Sequence, residues 1–256
     1  MDREQAPRVL LVPGSVTPAS ISYAPLLAAL GASAQVLTKE LEIYAGETPP
    51  AGFGLDLEVD GIQRVADDCA WRTFHLVGFS AGGAASLAFA ARYPQRLLSL
   101  ALIEPAWIGN GEWSPEETAH QQKTDSIMAL PAGERLAAFM RNALRPGVEF
   151  AGPPGPPPAW MAKRPAGIAA FREAFKQYDL DLARLRSFQQ PVYLAIGTLS
   201  NVVEERKAER LGRYLEHLRV DVYEGLHHFN PPQRAEPARL ATALRTLWAA
   251  AAPIEG

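Results

Sequence analysis

The sequence contains very little cysteine and no long hydrophobic run. Cys69 is the single cysteine among 256 residues, so an internal disulfide is excluded and a reducing compartment is expected. No stretch approaches the roughly 18 consecutive apolar residues that a membrane-spanning helix needs. Residues 1–8 are polar and charged, and the apolar stretch over 9–12 is much shorter than that of a signal peptide. We therefore expect a cytoplasmic protein that does not engage a membrane.

The sequence also lacks a strong charge of either sign. Its formal net charge is −3 at pH 7 and no long run of like charges occurs, whereas nucleic-acid-binding proteins usually carry a clustered basic patch. Metal-ligand clusters, phosphate loops and dinucleotide fingerprints are absent; residues 78–83 come closest to Gly-x-Gly-x-x-Gly, but Ser80 replaces the second glycine. We therefore expect no metal, no cofactor and no nucleic-acid partner, and the oligomeric state stays open.

Short apolar runs alternate with longer segments of helical periodicity. The apolar runs predict strands over residues 8–12, 34–43, 73–79, 97–103, 191–196 and 219–223. The periodic segments predict helices over residues 22–30, 60–71, 81–93, 203–217 and 237–251. This alternation is typical of an α/β fold with a mostly parallel sheet and helices on both faces, which is the predicted fold class.

One long segment interrupts the alternation. It contains helical patterns over residues 114–130 and 134–144. It also contains a tract of proline and glycine over residues 152–158, which cannot be helical and favours extended, polyproline-like chain. The segment therefore differs in character from the alternating chain on both sides of it.

This difference predicts the domain organisation. Residues 1–104 and 189–256 are expected to form the core, and residues 105–188 a helical cap inserted into it. Ligands of open α/β sheets bind at the carboxyl ends of strands, where this insertion emerges, which favours a lid over the site. The alternative is a subdomain that only stabilises the edge of the sheet.

Residues 78–82 read Gly-Phe-Ser-Ala-Gly, which matches the pattern Gly-x-Ser-x-Gly. A predicted apolar strand precedes the motif and a predicted Ala-rich helix follows it, as a nucleophile elbow requires. Such a sharp turn strains the serine backbone and lifts its hydroxyl above the sheet, so side chains at Gly78 and Gly82 would collide. Ser80 is therefore the predicted nucleophile. A plain strand–turn–helix connection with glycines for packing is the alternative.

The segment His-Leu-Val-Gly-Phe-Ser-Ala-Gly-Gly-Ala over residues 75–84, with residues 88–94 and 100–104, resembles the core of the α/β-hydrolase superfamily. The small, cap-bearing serine hydrolases are the most similar members, and the likeness extends over most of the chain outside the cap. The resemblance implies the α/β-hydrolase fold, a histidine after the last strand and an acid that orients it.

The resemblance places the histidine in a Gly-x-Gly-His-like loop after the last strand. Aligning Gly225 with the first glycine of that loop puts the catalytic position at His228, and a one-residue slip would exchange it with His227. A base must lie within hydrogen-bond reach of the serine hydroxyl, which a loop at this edge of the sheet allows. The other interpretation is a pair of solvated loop histidines.

The same resemblance implies an oxyanion hole built from two backbone N–H groups. The residues at the matching positions are Ala81, which follows the nucleophile, and Ser15, in the loop after the first strand. Many relatives have His-Gly in that loop, whereas this chain has Pro13-Gly14. An ordinary turn is the alternative for this loop.

The third member of a triad is the point of departure from the family pattern. Most relatives place an aspartate after the strand predicted over residues 191–196, and this chain has Ser200 there, which carries no charge. Some members, such as certain haloalkane dehalogenases, place the acid after the preceding strand, where this chain has Glu104. We predict Glu104 as the acid; Ser200 or Asn201 as a neutral orienting residue, or no third member, are the alternatives.

These residues together predict a serine hydrolase that cleaves an ester-type bond of a small hydrophobic molecule. Apolar walls are expected from Phe79, Trp107, Trp113, Trp160 and Met161, although each could equally belong to the core. A carbon–carbon bond or a lactone is the first alternative for the cleaved bond. The second is a catalytically retired member of the fold that only binds a ligand.

Overall fold

The computed structural model describes residues 6–149 and 156–251. Six strands form one sheet in which every neighbouring pair is parallel, in the order β2-β1-β3-β4-β5-β6. The strands are β1 Arg8–Val12, β2 Gln35–Thr38, β3 Phe74–Phe79, β4 Leu97–Ile103, β5 Val192–Gly197 and β6 Leu218–Tyr223. Part of the tract over residues 152–158, predicted as extended chain, lies outside the described residues.

Eleven α-helices accompany the sheet in the part of the chain that the structure describes. Those of the core are α1 Ala19–Ser22, α2 Ala24–Leu30, α3 Leu55–Asp68, α4 Ala81–Arg92, α9 Val203–Leu211, α10 Pro232–Ala235 and α11 Pro237–Ala250. Those between β4 and β5 are α5 Pro115–Met128, α6 Ala132–Asn142, α7 Arg164–Gln177 and α8 Leu182–Arg186. None of the helices in residues 6–149 and 156–251 has the length and apolar character that crossing a membrane requires.

Alternating strand residues bury against helices on the two faces of the sheet. In β4, Leu100 and Leu102 join the cluster that contains α3 and α4, while Ala101 and Ile103 join the cluster that contains α2 and α11. Because both faces are covered, the central strands are apolar at nearly every position. The predicted fold class, a mostly parallel sheet with helices on both faces, is confirmed.

The second strand and the segment after β4 differ in detail from the sequence prediction. β2 ends at Thr38 rather than at residue 43, and the ammonium of Lys39 then lies 3.4 Å from the buried carboxylate of Glu58. The segment between β4 and β5 also contains α7 and α8, in addition to the two stretches located in the sequence, where two or more were predicted. Phe171 and Phe175 of α7 pack into the same apolar cluster as α3 and α4. This segment is therefore packed onto the core.

Candidate active site

Ser80 lies at the sharp turn between β3 and α4. Its backbone has φ +53° and ψ −117°, a strained conformation for a residue with a side chain. A Cβ at Gly78 would collide with the Ser86 hydroxyl, and a Cβ at Gly82 would collide with the carbonyl of Pro13. Glycine at both positions is thus a steric requirement of the turn, for the reason that the sequence motif indicates.

His228 lies on the loop after β6 and faces Ser80. Its Nε2 is 3.0 Å from Ser80 Oγ, and its ring centre is 5.0 Å from that of Phe79. The neighbouring His227 has another contact: its Nδ1 accepts a hydrogen bond from the Phe229 N–H at 3.2 Å. Of the two histidines, the structure therefore brings His228 to the serine.

The carboxylate of Glu104, at the end of β4, lies behind His228. Its Oε2 is 2.8 Å from His228 Nδ1. Its Oε1 accepts hydrogen bonds from the Gly197 N–H at 2.7 Å and from the Ser200 hydroxyl at 2.6 Å. Glu104 is only 2% exposed, and its backbone is held at φ +41°, which is rare for a residue other than glycine.

The surroundings of Glu104 keep it ionised. Burial raises the pKa of this carboxyl, but the hydrogen bond and charge of His228, together with the Ser200 hydroxyl and the Gly197 N–H, outweigh burial and hold the pKa below its usual value. A carboxylate at this place favours the imidazole tautomer with its hydrogen on Nδ1, which leaves Nε2 free to accept the Ser80 proton.

Ser200 and Asn201, the neutral residues after β5, make their hydrogen bonds to groups other than the His228 imidazole. Because β4 and β5 are adjacent and parallel, their carboxyl ends meet, and Ser200 reaches Glu104 rather than the imidazole. Asn201 accepts a hydrogen bond from the Val203 N–H at 3.1 Å and donates one to the carbonyl of Asn142 at 3.0 Å. Of the candidates for the third member, Glu104 is the residue that the structure places against the histidine.

The two residues predicted for the oxyanion hole lie beside the serine. Ala81 is the first residue of α4, so its N–H has no acceptor within the helix. The next N–H, that of Gly82, donates to the carbonyl of Pro13 at 3.0 Å and holds the loop after β1 against the elbow. Ser15, in that loop, is 5% exposed and lines the same cavity as Ser80 and Ala81.

Two side chains hold the loop that carries Ser15. The Tyr44 hydroxyl donates to the Ser15 carbonyl at 2.7 Å. The guanidinium of Arg164, in α7, lies 3.5 Å from the same carbonyl and 3.9 Å from the centre of the Tyr44 ring. α7 can approach the Tyr44 ring this closely because residue 167 is glycine, and a Cβ at this position would collide with the ring. Sequence reasoning missed both side chains, which are 29 and 149 residues away from Ser15.

Comparison with protein families identifies the family of this chain. The model of a family described as the alpha/beta hydrolase family matches residues 9–243, which is most of the chain. This chain belongs to the alpha/beta hydrolase family. A search of curated proteins finds no match.

Solved structures with the fold of this alpha/beta hydrolase include proteins with several different names. A thermophilic esterase from Thermogutta terrifontis is 16% identical with a TM-score of 0.68, covering 94% of this chain and 89% of that one. A 2-hydroxy-6-oxo-6-phenylhexa-2,4-dienoate hydrolase from Rhodococcus is 16% identical with a TM-score of 0.66, covering 97% and 92%. A haloalkane dehalogenase variant from Bradyrhizobium elkanii is 17% identical with a TM-score of 0.67, covering 97% and 91%. At these identities the likeness shows the fold alone.

Two cavities of this alpha/beta hydrolase meet at Ser80 and His228. The first, of about 80 Å³, is named here the polar cavity after the charged and polar side chains in one part of its wall, which are His120, Gln121, Asn142, Arg172, Glu204 and Lys207. The rest of its wall is apolar and includes Met128, Phe139, Ile168, Phe171 and Phe175. The second, of about 410 Å³, is named the aromatic cavity, and its lining includes Phe79, Trp160, Met161 and Phe229. Both cavities include Ser15 in their walls.

Three of the five predicted pocket residues thus line the aromatic cavity, and the structure places the other two elsewhere. Trp107 is 2% exposed, stacks on Phe175 with ring centres 5.7 Å apart and donates to Asn110 at 2.8 Å. The indole of Trp113 donates to the carbonyl of Gly109 at 3.0 Å. This corrects the prediction for Trp107 and Trp113, because their indoles hold the chain after β4 instead of lining either cavity.

The polar cavity contains ion pairs that sequence reasoning missed. Lys207 Nζ lies 2.7 Å from Glu204 Oε2 and donates to the carbonyl of Pro105. Arg172 Nε lies 2.8 Å from Asp125 Oδ1. Lys207, Glu204 and Arg172 are each at most 9% exposed. The spacing of Glu204 and Lys207, three residues apart on a predicted helix, is the signal that could have indicated their pairing.

Two titratable groups of the polar cavity have shifted pKa values. Burial raises the pKa of the Glu204 carboxyl, against the opposing charge of Lys207. Burial, and then the positive charges of Lys207 and Arg172, lower the pKa of His120 to about 4. Within residues 6–149 and 156–251, no three His, Cys, Asp or Glu side chains are grouped as a metal site would require.

Proposed function

We propose that this protein hydrolyses carboxylic esters through an acyl-enzyme on Ser80. The observation that carries the proposal is the chain of contacts from Ser80 Oγ through His228 to Glu104, at 3.0 and 2.8 Å. A serine hydroxyl is a weak nucleophile until a base within hydrogen-bond reach removes its proton, and a third group orients that base. All three requirements are met at one edge of the sheet.

In the first half of the reaction, Ser80 Oγ attacks the ester carbonyl carbon while His228 Nε2 takes the hydroxyl proton. The carbonyl π electrons move to oxygen, and the N–H groups of Ala81 and Ser15 stabilise the resulting oxyanion. When the carbonyl re-forms, the bond to the leaving oxygen breaks, and His228 gives its proton to the departing alcohol. An ester between Ser80 and the acyl group remains.

In the second half, water takes the place of the alcohol. His228 Nε2 removes a proton from the water, whose oxygen attacks the acyl carbon and forms a second oxyanion. Breakdown releases the carboxylic acid and returns the proton to Ser80. In both halves Glu104 stabilises the imidazolium without taking its proton.

We further propose that residues 105–188 act as the cap over this site, with residues 1–104 and 189–256 as the core. Side chains from this segment, among them Trp160 and Met161, line the aromatic cavity beside Ser80. A predominantly apolar wall of this kind suits a small hydrophobic substrate. A catalytically retired binding module is disfavoured, because such a protein has no need of a buried carboxylate behind its histidine.

A second candidate function is hydrolysis of a carbon–carbon bond or a lactone by the same residues. The polar cavity favours this candidate, since a substrate with several oxygen atoms near the cleaved bond would find hydrogen-bond partners there. The two candidates differ in substrate and share the nucleophile.

Labelling with a fluorophosphonate probe tests the proposal. We expect the wild type to be labelled and Ser80→Ala to resist labelling, with a roughly 10⁶-fold loss of kcat on p-nitrophenyl acetate. Ser99→Ala is the matched control, because Ser99 is also buried beside a histidine, with its Oγ 2.8 Å from His75 Nδ1. An unlabelled wild type, or equal labelling of Ser80→Ala, contradicts the proposal. Labelling of Ser80 without hydrolysis of short esters favours the second candidate.

A further inference from the structure

The two cavities that meet at Ser80 differ in size, and the buried ion pair of Glu204 and Lys207 lies in the wall of the smaller one. The polar cavity, of about 80 Å³, is roughly half the size of a ~150 Å³ cavity that holds one benzene molecule, so it accepts only a few carbon atoms. The aromatic cavity, of about 410 Å³, has room for a much larger group. An ester divides at its reacting carbon into an acyl part and a leaving alcohol, and each part needs one of these spaces.

The position of His228 indicates which part enters which cavity. His228 Nε2 must deliver a proton to the leaving oxygen, so the alcohol departs along the histidine loop. Phe229 and Pro231, which follow His228 in this loop, line the aromatic cavity. Ala81, whose N–H faces the acyl oxygen in the proposed mechanism, lines the polar cavity. The leaving alcohol is therefore assigned to the aromatic cavity and the acyl group to the polar cavity.

The charges of the polar cavity indicate the chemistry of the acyl group. Both of its cations already have an anionic partner: Lys207 pairs with Glu204, and Arg172 pairs with Asp125. A substrate carboxylate would be a further anion in a buried place without a free counter-charge, so its loss of hydration would not be offset. An uncharged hydroxyl has no such cost.

Hydrogen-bond partners for an uncharged oxygen are available in the polar cavity. An ammonium group has three hydrogens, and the hydrogen bond of Lys207 to the Pro105 carbonyl uses one of them, while its 2.7 Å contact with Glu204 Oε2 is an ion pair. The carboxylate of Glu204 can accept, and the Glu204 Oε2 atom is buried without a hydrogen bond of good geometry. A hydroxyl both donates and accepts, so it matches this pair.

We infer that the polar cavity selects a short acyl group bearing an uncharged hydroxyl, and that the aromatic cavity selects a larger apolar leaving alcohol. This inference rests on the proposed ester hydrolysis at Ser80. With this arrangement, the enzyme distinguishes an ester whose long chain is in the alcohol from an isomer whose long chain is in the acyl group.

A pair of isomeric esters tests the direction. Octyl acetate and ethyl octanoate have the same composition but place the long chain in the alcohol and in the acyl group, respectively. We expect kcat/KM for octyl acetate to be at least about tenfold higher, because the octanoyl chain leaves several methylenes that the polar cavity cannot bury. Equal values or the reverse preference would overturn the assignment of the cavities.

A second series tests the chemistry of the acyl group, with p-nitrophenyl esters of butyrate, 3-hydroxybutyrate and succinate. We expect kcat/KM for the 3-hydroxybutyrate ester to exceed that for the butyrate ester about tenfold, as one good hydrogen bond allows, and the succinate ester to be the poorest. A wild type without preference for the hydroxyl, or one that prefers succinate, overturns the inference.

Variants locate the preference in the polar cavity. The double change Glu204→Gln with Lys207→Met should bring the ratio of the 3-hydroxybutyrate to the butyrate rate close to one. The matched control is Glu205→Gln with Arg206→Met on the same helix, whose charges pair at the surface with Arg145 and Glu209 and should keep the wild-type ratio.

If the first double variant does not fold, Asn142→Leu removes another polar side chain from the wall of the polar cavity and should also lower the ratio. A ratio unchanged by these variants contradicts the inference. Failure of the underlying proposal is distinguishable, because then none of the esters reacts and the fluorophosphonate probe does not label Ser80.

Discussion

The parallel core and the segment between β4 and β5 contribute different parts of the candidate site. The core supplies Ser80 and Glu104, each directly after a strand, and His228 in the loop after β6; their side chains contact one another through His228. The segment supplies side chains such as Arg172 and Trp160, which line the two cavities that meet at Ser80. In the proposed mechanism, the core therefore supplies the reacting groups, and the segment selects the substrate.

The strongest test of this comparison replaces a buried carboxylate in each region. Glu104→Gln should lower kcat by about 10³–10⁴-fold with little change in KM, because the amide favours the wrong imidazole tautomer and no longer stabilises the imidazolium. Glu117→Gln is the matched change in the segment, since Glu117 is also buried and bonded, to Arg210 and the Ser114 N–H. Steady-state kinetics should show a near-normal kcat for Glu117→Gln, and an equal loss in both variants would contradict the comparison.

A second test uses one buried histidine in each region. Burial lowers the pKa of His75 in β3 to about 4, and burial with nearby cations does the same for His120 in α5. Both are neutral in the fold, while the unfolded chain takes up a proton below about pH 6.5. The stability that each contributes is therefore complete above pH 6.5, falls as the pH drops, and has been lost by about pH 4.

Each histidine should account for about 3 kcal/mol of this loss in the free energy of unfolding. Urea titrations between pH 7 and 4 should show a flatter pH dependence for His75→Gln and also for His120→Gln. Both should matter because Phe171 and Phe175 join the segment to an apolar cluster of the core. If the free energy of unfolding depends less on pH in His75→Gln but not in His120→Gln, the segment that contains His120 opens before the core unfolds.

A smaller effect is expected at the end of β5. Ser200→Ala removes a hydrogen bond to the charged Glu104 and should lower kcat about tenfold. Asn201→Ala is the control, since its amide bonds the Val203 N–H and the carbonyl of Asn142 in the segment. That variant should lose about 1 kcal/mol of stability and keep its kcat. The reverse pattern would move the orienting role from Ser200 to Asn201.

The smallest predicted effect lies where the two regions meet. Tyr44→Phe removes the hydroxyl that donates to the Ser15 carbonyl and should lower kcat about fivefold, with KM unchanged, because the oxyanion loop loses one of its supports. Tyr214→Phe, which removes a hydroxyl bonded to Glu112, should leave kcat unaffected. A rise in KM at constant kcat would show that Tyr44 acts on substrate binding instead.

The sequence contained strong local signals for the strands, the elbow and the histidine loop. Each depends on a short pattern: an apolar run of strand length, glycines on both sides of Ser80, or Gly225 before His228. Glu104 could also be located from the sequence, because the end of an apolar strand is easily identified. β4 was predicted with its observed bounds, Leu97–Ile103. Local sequence patterns were sufficient to locate residues whose position depends on the end of a strand.

The contacts that complete the site depend on packing between distant parts of the chain. The support of Ser15 by Tyr44 and Arg164 joins three separate elements, and no local pattern links them. The failure of the pocket prediction for Trp107 and Trp113 has the same origin. Composition marks an aromatic residue as apolar, whereas only its neighbours decide whether the ring faces a cavity or the chain's own backbone.

The meeting of β4 and β5 at one edge has a consequence for the recognition of active relatives. The carboxylate of Glu104 after β4 and the hydroxyl of Ser200 after β5 occupy two places that are 96 residues apart in the sequence and in contact in the structure. A survey that inspects only the second place would discard chains of this kind as inactive. A survey that inspects both strand ends would retain such chains, provided that it accepts a carboxylate at one end and a hydroxyl bonded to it at the other.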